Sequence, residues 1–321
     1  MSGARAVAAL AGIAISINPC GLSAVRRTSK LAFASGPGTV CIEARRTPTA
    51  TAELLLVPVE VSARGRQRQY WFLLDTGSGV SLVDDEVATA LELPRATRTT
   101  LMTATGAVAA TTARLSLTFG AVHADDLEVV RHPLTELRAV DPDVHGLIGQ
   151  DVLRRTHWLL DNARGVIVQD PSRALDRRDG VERLAVRWIG DRPVVDAAFG
   201  RSSFPLVLDS AATSIVLYAV PAGSAPAAYT RMKTPGAEHA APLFTADALR
   251  IGSMTMAQPM AAVVPQDSDA DEARGVLPTS LFESVYFDHH DSAALVRPAR
   301  RSGGPRRIIR PRCDAADALV S

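Results

Sequence analysis

The feature that most constrains the fold of this 321-residue chain is a segment that occurs twice, in which an apolar run delivers an aspartate into a turn of small or hydroxylated residues. The first copy spans residues 72–83, where Asp75 is followed by Thr76, Gly77 and Ser78. Burying a carboxylate is unfavourable unless donors surround it, and this turn offers backbone N–H groups and hydroxyls. A strand ending in an ordinary tight turn is the alternative interpretation. The apolar residues on both sides favour a buried acid instead.

The second copy spans residues 204–217, where Asp209 is followed by Ser210, Ala211, Ala212 and Thr213. Further landmarks follow both aspartates in one order: Gly120, Gly146 and Asp161 after the first, and Gly252, Gly275 and Asp288 after the second. The two glycines lie 45 and 71 positions after Asp75, and 43 and 66 positions after Asp209. Such matched order and spacing indicate an internal duplication.

These motifs resemble the active-site signature of the pepsin and retropepsin family of aspartic proteases. In that family apolar residues precede Asp-Thr/Ser-Gly-Ser/Thr, and two such aspartates face each other. The resemblance covers both copies and implies an all-β fold of two pseudo-symmetric β-barrel lobes with a cleft between them. It also implies that Asp75 and Asp209 form a catalytic pair that shares one proton and activates water against a peptide bond.

The resemblance implies supporting roles for the residues around the two aspartates. Thr76 and Ser210 would brace the two loops, while Ser78 and Thr213 would hydrogen-bond the outer carboxylate oxygens. Gly77 would leave room beside the acid. The second loop departs from the family pattern, because Ala211 stands at the glycine position and Ala212 at the Ser/Thr position.

A flap is expected where residues 99–119 alternate small apolar and hydroxylated residues around Thr105 and Gly106. Gly106 suits a hairpin tip, since such turns often need a residue that tolerates positive φ. The tyrosine of a pepsin-type flap is missing, because no aromatic residue occurs between Phe72 and Phe119. A looser equivalent is expected within residues 222–242, which are rich in Pro, Ala and Gly.

Three functional hypotheses remain open at this stage. The first is an aspartic endopeptidase with both catalytic acids in one chain, acting on peptide or protein substrates as a monomer. The second is a two-lobed peptide-binding protein whose departures in the second loop have removed turnover. The third is a protease that uses Asp75 alone in a homodimer.

The pattern of residue types along the chain predicts six segments. Dense short strands separated by Gly, Asn, Asp and Pro turns independently favour an all-β fold. The predicted segments are a signal peptide (1–24), a flexible linker or prosegment (25–50), a first lobe (51–170), an inter-lobe linker (171–182), a second lobe (183–298) and a disordered Arg/Pro-rich tail (299–321).

The composition limits the kinds of partner that the protein is expected to bind. A net charge of +1 without a block of Lys and Arg argues against nucleic acid. No Cys/His spacing resembles a zinc site, so neither a metal nor a cofactor is expected. His289 and His290 are expected in a solvated turn, and residues 266–273 in an acidic surface loop.

The N-terminus predicts export to the periplasm or the medium. A positive start at Arg5 precedes a twelve-residue apolar stretch, which is too short for a bilayer span but suits a signal peptide. Membrane attachment through this segment, by a lipid on Cys20, is a less favoured alternative. In an oxidising compartment, a disulfide between Cys41 and Cys313 is permitted.

Overall fold

The structure is a computed structural model. It describes residues 40–49, 51–104, 106–169, 181–264, 272–299 and 313, and the backbone of two short strands at 11–13 and 30–33. Regular structure in these residues is overwhelmingly β-strand, which confirms the predicted all-β class. We call residues 40–169 the first half and residues 181–299 the second half.

The elements up to the end of the first half are thirteen strands and three short helices within the described residues. The strands are β1 (Ala11–Ile13), β2 (Lys30–Phe33), β3 (Val40–Glu43), β4 (Arg45–Pro48), β5 (Glu53–Ala63), β6 (Arg66–Leu74), β7 (Leu82–Val83), β8 (Arg98–Thr103), β9 (Gly106–Phe119), β10 (Val122–Arg131), β11 (Gly146–Ile148), β12 (Trp158–Asp161) and β13 (Val166–Gln169). The helices are α1 (Asp85–Ala90), α2 (Thr135–Arg138) and α3 (Gln150–Leu153).

The second half adds thirteen strands and one 3-10 turn, Thr279–Leu281, in its described residues. The strands are β14 (Glu182–Ala185), β15 (Arg187–Ile189), β16 (Arg192–Phe199), β17 (Ser202–Asp209), β18 (Ile215–Leu217), β19 (Ala228–Thr234), β20 (Ala237–Thr245), β21 (Ala248–Ile251), β22 (Met254–Ala257), β23 (Met260–Val263), β24 (Gly275–Pro278), β25 (Phe282–Asp288) and β26 (Ala293–Pro298).

The described strands form three sheets. One sheet has the order β2-β10-β7-β11-β6-β5-β9-β8, with β4 added beside β5. A second has the order β1-β19-β20-β23-β18-β24-β17-β16-β21-β22, with β15 added beside β16. The third, β14-β26-β25-β12-β13-β3, combines strands of both halves. The hairpin at residues 158–169, at the end of the predicted first lobe, therefore lies in a sheet shared with the second half.

The two halves repeat one topology around their aspartates. In the first half β11 pairs in parallel with β6 and antiparallel with β7, which in turn pairs in parallel with β10. In the second half β24 pairs in parallel with β17 and antiparallel with β18, which pairs in parallel with β23. This correspondence supports the internal duplication that the sequence landmarks indicate. It also places Asp75 and Asp209 at equivalent ends of equivalent strands.

Burial explains why β5 alternates over only part of its length. Residues 54–57 are buried on both faces, so the strand shows a continuous apolar run there. Beyond Pro58, buried Val59 and Val61 flank exposed Glu60, the alternation of a strand with one solvent face. The end of β5 that is buried on both faces is the end that pairs with β6 next to Asp75.

Residues 40–48, which the sequence predicts as linker, form β3 and β4 instead. β3 pairs with β13 and β4 with β5 through backbone hydrogen bonds, which need no apolar periodicity in the added strand. Cys41 of β3 forms a disulfide with Cys313, 272 positions away. Cys313 lies in the predicted disordered tail, of which it and residue 299 alone are described.

Several other predictions fall largely outside the described residues. Only residues 11–13 of the predicted signal peptide and 181–182 of the predicted inter-lobe linker are described, and β14 begins at residue 182. The acidic loop is described only at residues 272–273, where Ala273 is buried rather than on the surface. In the described part of the chain, no helix has the length and apolar character needed to span a bilayer.

Candidate active site

Asp75 and Asp209 both emerge from buried apolar strands. Residues 72–74 precede the first acid and residues 206–208 the second, and all six side chains are at most 1% exposed. Both aspartates are themselves 0% exposed. The Asp75 N–H donates to the carbonyl of Ile148 (3.0 Å), which ties the end of β6 to β11.

Four reciprocal hydrogen bonds join the two aspartate loops. The Thr76 hydroxyl donates to the Leu208 carbonyl (2.8 Å) and accepts from the Ser210 N–H (2.9 Å). The Ser210 hydroxyl donates to the Leu74 carbonyl (2.7 Å) and accepts from the Thr76 N–H (3.1 Å). Each hydroxyl thus binds the backbone on both sides of the opposite loop, which places the two halves in a fixed relation here. These are the bracing positions that the sequence predicts for Thr76 and Ser210.

Gly77 lies directly against the second aspartate. A Cβ at this position would stand 2.4 Å from Asp209 Oδ2 and 2.5 Å from its carboxyl carbon. The glycine is therefore required by close approach to Asp209, whereas the sequence predicts room beside Asp75. The approach also shows that the first loop contacts the carboxylate of the second half.

The two carboxylates have different hydrogen-bond partners. Asp209 Oδ1 accepts from the N–H groups of Ala211 (2.7 Å) and Ala212 (3.2 Å), whereas Oδ2 has no partner among the described residues. Neither oxygen of Asp75 has a partner within the described part of the chain. The Gly77 and Ser78 N–H groups lie near enough to lower the pKa of Asp75, and the Gly77 N–H lowers that of Asp209, but these three buried oxygens lack a hydrogen bond of normal geometry, which water or substrate would supply.

Burial is the main cause of the raised pKa values of the two aspartates. It raises the pKa of Asp75 well above the ordinary 3.8, and the negative charge of Asp209 raises it further. Burial also raises the pKa of Asp209, to about 7, against the opposing effect of the Ala211 and Ala212 N–H groups. The positive charge of Arg192 lowers the pKa of both aspartates. Neighbouring buried carboxylates of this kind favour holding a proton between them.

The remaining predicted loop residues take other positions. The Ser78 hydroxyl donates to the Val80 carbonyl, within its own loop, so its predicted bond to the Asp75 carboxylate is wrong. A short turn explains this, because the hydroxyl finds a backbone acceptor two residues ahead. Thr213 is buried, and Ala211 and Ala212 contribute backbone N–H groups that need no hydroxyl side chain.

Sequence reasoning missed two side chains that support the first loop from α3. The Gln150 side-chain amide donates to the Thr76 carbonyl (2.8 Å). The Asp151 carboxylate accepts from the Ser81 N–H (2.9 Å) and hydroxyl (2.7 Å). Burial raises the pKa of Asp151 to about 6. Their position shortly after Gly146, a landmark that the two copies share, was the available signal.

The predicted flap is the β8–β9 hairpin, which pairs Arg98 with Thr111 and Thr103 with Gly106. Gly106 has a φ of +135°, which explains glycine at the tip, while Thr105 lies outside the described residues. Ala104 is fully buried in an apolar cluster with Ala212. Ala104, beside the hairpin tip, therefore lies in an apolar cluster whose other buried members belong to the second half.

A second hairpin, β19–β20, crosses in the opposite direction. It has seven consecutive residue pairs, so the looser arrangement expected in residues 222–242 is wrong for residues 228–242. Its turn contains Gly236, with a φ of +79°. The Gly236 N–H donates to Glu136 of α2 (3.0 Å), and a Cβ there would lie 3.1 Å from Val108 of β9. Both hairpins thus reach from one half to the other.

The two histidines near the end of β25 have different surroundings. No group of three or more His, Cys, Asp or Glu side chains suited to a metal ion occurs among the described residues. His289 is not solvated as predicted, because it packs against Trp188 with ring centroids 5.2 Å apart. Burial lowers its pKa to about 3, whereas His290 is exposed.

The comparison with known protein families gives a match within the first half of the chain. Residues 57–152 match the aspartyl protease family model. The matched segment runs from β5 to α3 and includes Asp75, the Thr76 brace and the flap. It supports a peptidase of the aspartyl type, which acts on peptides. No curated protein matches the chain.

Proposed function

We propose that this protein is an aspartic endopeptidase that carries both catalytic acids, Asp75 and Asp209, in one chain. The observation that supports this most strongly is the set of four reciprocal hydrogen bonds that joins the two loops. These bonds bring two fully buried aspartates from equivalent strands to one place. The aspartyl protease match over residues 57–152 supports the same reaction class.

The proposed chemistry needs one proton on the pair. The ionised carboxylate takes a proton from a bound water, which attacks the scissile carbonyl, and the protonated carboxyl donates to the carbonyl oxygen. The carboxyl that took the water proton then protonates the leaving amine while the other carboxylate takes a proton from the gem-diol, so the C–N bond breaks, a carboxylic acid forms and the pair again holds one proton. The raised pKa values of Asp75 and Asp209 mean that the pair keeps at least one proton up to about neutral pH. The two protonation steps belong to the pair rather than to either residue.

Substrate entry requires the two hairpins to move. Ala104 is buried in an apolar cluster of the second half, and both aspartates are 0% exposed. We infer that the β8–β9 and β19–β20 hairpins open to admit an extended peptide and close over it. Closure would exclude water other than the nucleophile.

The alternative of an impaired peptide-binding protein rests on Ala211 and Ala212. Their backbone N–H groups bind Asp209 Oδ1, so the loop keeps donors to the carboxylate without a hydroxyl at position 212. The homodimer alternative would need the Thr76 side of the first loop to meet a second copy. Ser210 and Leu208 of the same chain already occupy that side. Both observations favour the single-chain enzyme.

We also propose that the protein is exported and acts as a monomer. The disulfide between Cys41 and Cys313 supports an oxidising compartment such as the periplasm or the medium. It agrees with the signal peptide predicted at residues 1–24. A single chain already supplies both aspartates, so no partner subunit is needed for the pair.

Cleavage of a mixed peptide library, read by mass spectrometry, tests the proposal. We expect Asp75→Asn and Asp209→Asn each to lower kcat by about three orders of magnitude or more. Asp196→Asn, which changes an exposed aspartate in β16, is the matched control and should cleave normally. Peptide binding without cleavage by the unmodified protein would support the impaired binder. Full activity of Asp209→Asn would support the homodimer.

A further inference from the structure

Arg192 is a buried cation that the proposed reaction does not yet use. It opens β16 and is 1% exposed, among the largest fully buried side chains of the described residues. Its Nε donates to the Ile189 carbonyl (3.4 Å) across the turn that joins β15 to β16. An arginine cannot shed its charge inside a protein, so this site keeps a permanent positive charge.

Strand register places this charge beside the second aspartate. β16 pairs antiparallel with β17, with Val194 opposite Val207. Both strands extend two residues beyond this last pair, and the same register continued to their ends sets Arg192 across from Asp209. Directly opposed residues of an antiparallel pair project from the same face of the sheet, with Cβ atoms about 5 Å apart. Consistent with this position, the Arg192 charge lowers the pKa of Asp209 and of Asp75.

The first half has no cation at the equivalent position. β5 pairs antiparallel with β6, with Leu56 opposite Leu73, so the residue opposite Asp75 is Leu54. Leu54 is apolar and 1% exposed. The duplication therefore carries leucine beside one acid and arginine beside the other. This makes the electrostatic environment of the pair asymmetric.

We propose that Arg192 is a positioning residue for the acid pair: it stabilises the single negative charge that Asp75 and Asp209 share, and it biases that charge toward Asp209. Without a nearby cation, a fully buried carboxylate pair would favour the doubly protonated form, which has no base to activate water. The role deepens the proposed function and rests on the same pair of acids.

The other groups around the pair do not replace this charge. Asp75 and Asp209 face each other's carboxylates and the N–H groups of their own loops. On the side of α3, the nearby acid is Asp151, whose carboxylate is bound to Ser81. Arg192 is therefore the charged group whose removal tests the proposal.

Titration of the aspartate side-chain carboxyl carbons by NMR measures the effect without any cleavage assay. In the unmodified protein we expect Asp209 to ionise at lower pH than Asp75. Arg192→Gln should move the ionisation of both upward, by about one pH unit, and reduce the difference between them. Arg192→Lys should keep most of the original titration, because it keeps the charge.

Arg187→Gln is the matched control. Arg187 lies on β15, is exposed and pairs with Asp196 (2.8 Å), so its loss removes the same charge from outside the site. In the Arg187→Gln variant we expect Asp75 and Asp209 to titrate as they do in the unmodified protein. Unchanged aspartate titration in a folded Arg192→Gln variant would overturn the proposal. If that variant does not fold, ionisation of Asp75 before Asp209 in the unmodified protein would overturn it equally.

The outcomes separate this inference from the proposed function. A protein that cleaves nothing but shows the expected titrations would refute the endopeptidase and leave the role of Arg192 standing. If the protein cleaves peptides but Arg192→Gln leaves both titrations unchanged, the endopeptidase would stand and the role of Arg192 would be refuted. In an active enzyme, the pH range of kcat/KM should also move upward in Arg192→Gln and stay in place in Arg192→Lys.

Discussion

Replacing Asp209 by asparagine should make the protein more stable at neutral pH while it removes activity. Asparagine is close in shape and its side-chain oxygen can still accept from the Ala211 and Ala212 N–H groups. What the replacement removes is a buried ionisable group. The side chain is 0% exposed, so solvent does not screen its charge.

The magnitude follows from the raised pKa. In the folded protein burial raises the pKa of Asp209 to about 7, from an ordinary value of 3.8. Between these two pH values the folded protein binds more protons than the unfolded chain, so stability falls as the pH rises through the window. A difference of about three pKa units corresponds to about 4 kcal/mol. We therefore expect Asp209→Asn to raise the free energy of unfolding by about 3–4 kcal/mol at pH 8.

Urea denaturation from pH 3.5 to pH 8 is the assay. The gain from Asp209→Asn should be greatest at pH 8 and should shrink toward zero at pH 3.5, where the aspartate is protonated in both states. Asp196→Asn, at an exposed site, should show no such dependence. A variant that is less stable than the unmodified protein at every pH, or a gain that does not change with pH, would refute this reasoning.

Three further changes test the geometry of the site. Thr76→Val should lower the free energy of unfolding by about 2–4 kcal/mol, because it leaves buried backbone groups of the opposite loop without partners. In the same denaturation assay, Thr76→Ser should lower it by less than about 1 kcal/mol. Gly77→Ala should reduce both stability, by about 1–3 kcal/mol, and peptide cleavage, because its Cβ would meet Asp209; an unchanged variant would contradict the close approach. Glu136→Ala should speed hydrogen exchange of the Gly236 amide by about fivefold, equivalent to about 1 kcal/mol, and unchanged exchange would argue against the contact between hairpin and α2.

Local pattern predicted the parts of the structure that depend on local chemistry. The apolar flanks of Asp75 and Asp209 indicated buried acids, and both are 0% exposed. An aspartate followed by further acids is a typical helix start, and the Asp84 side chain accepts from the Glu86 N–H at the start of α1. Gly106 was placed at a hairpin tip, where its φ is +135°.

Contacts between distant segments could not be predicted in this way. The sheet that joins β3, β12 and β25 forms by backbone pairing of segments far apart in sequence, and no local period specifies a partner. The β19–β20 hairpin was underestimated because Pro and Ala suggested a loose segment. The Pro235-Gly236 pair was the turn signal within it.

Arg192 shows a second limit of local pattern. In sequence it is one arginine at a turn, and nothing nearby marks it as buried. Its relation to Asp209 becomes visible once the hairpin register is counted, which links two residues 17 positions apart. The corresponding count in the first half ends on Leu54, so the internal repeat gave no hint of a cation at this site.

A crystal structure of the protein with a peptide analogue whose scissile bond is replaced by a hydroxyl-bearing carbon tests the central claim most directly. The measured quantity is the distance from that hydroxyl to the nearest carboxylate oxygen of each aspartate. We predict that Asp75 and Asp209 both lie within hydrogen-bonding distance, about 2.5–3.0 Å, of the same hydroxyl. An analogue bound elsewhere, or carboxylates that cannot both reach the hydroxyl, would contradict a shared catalytic pair.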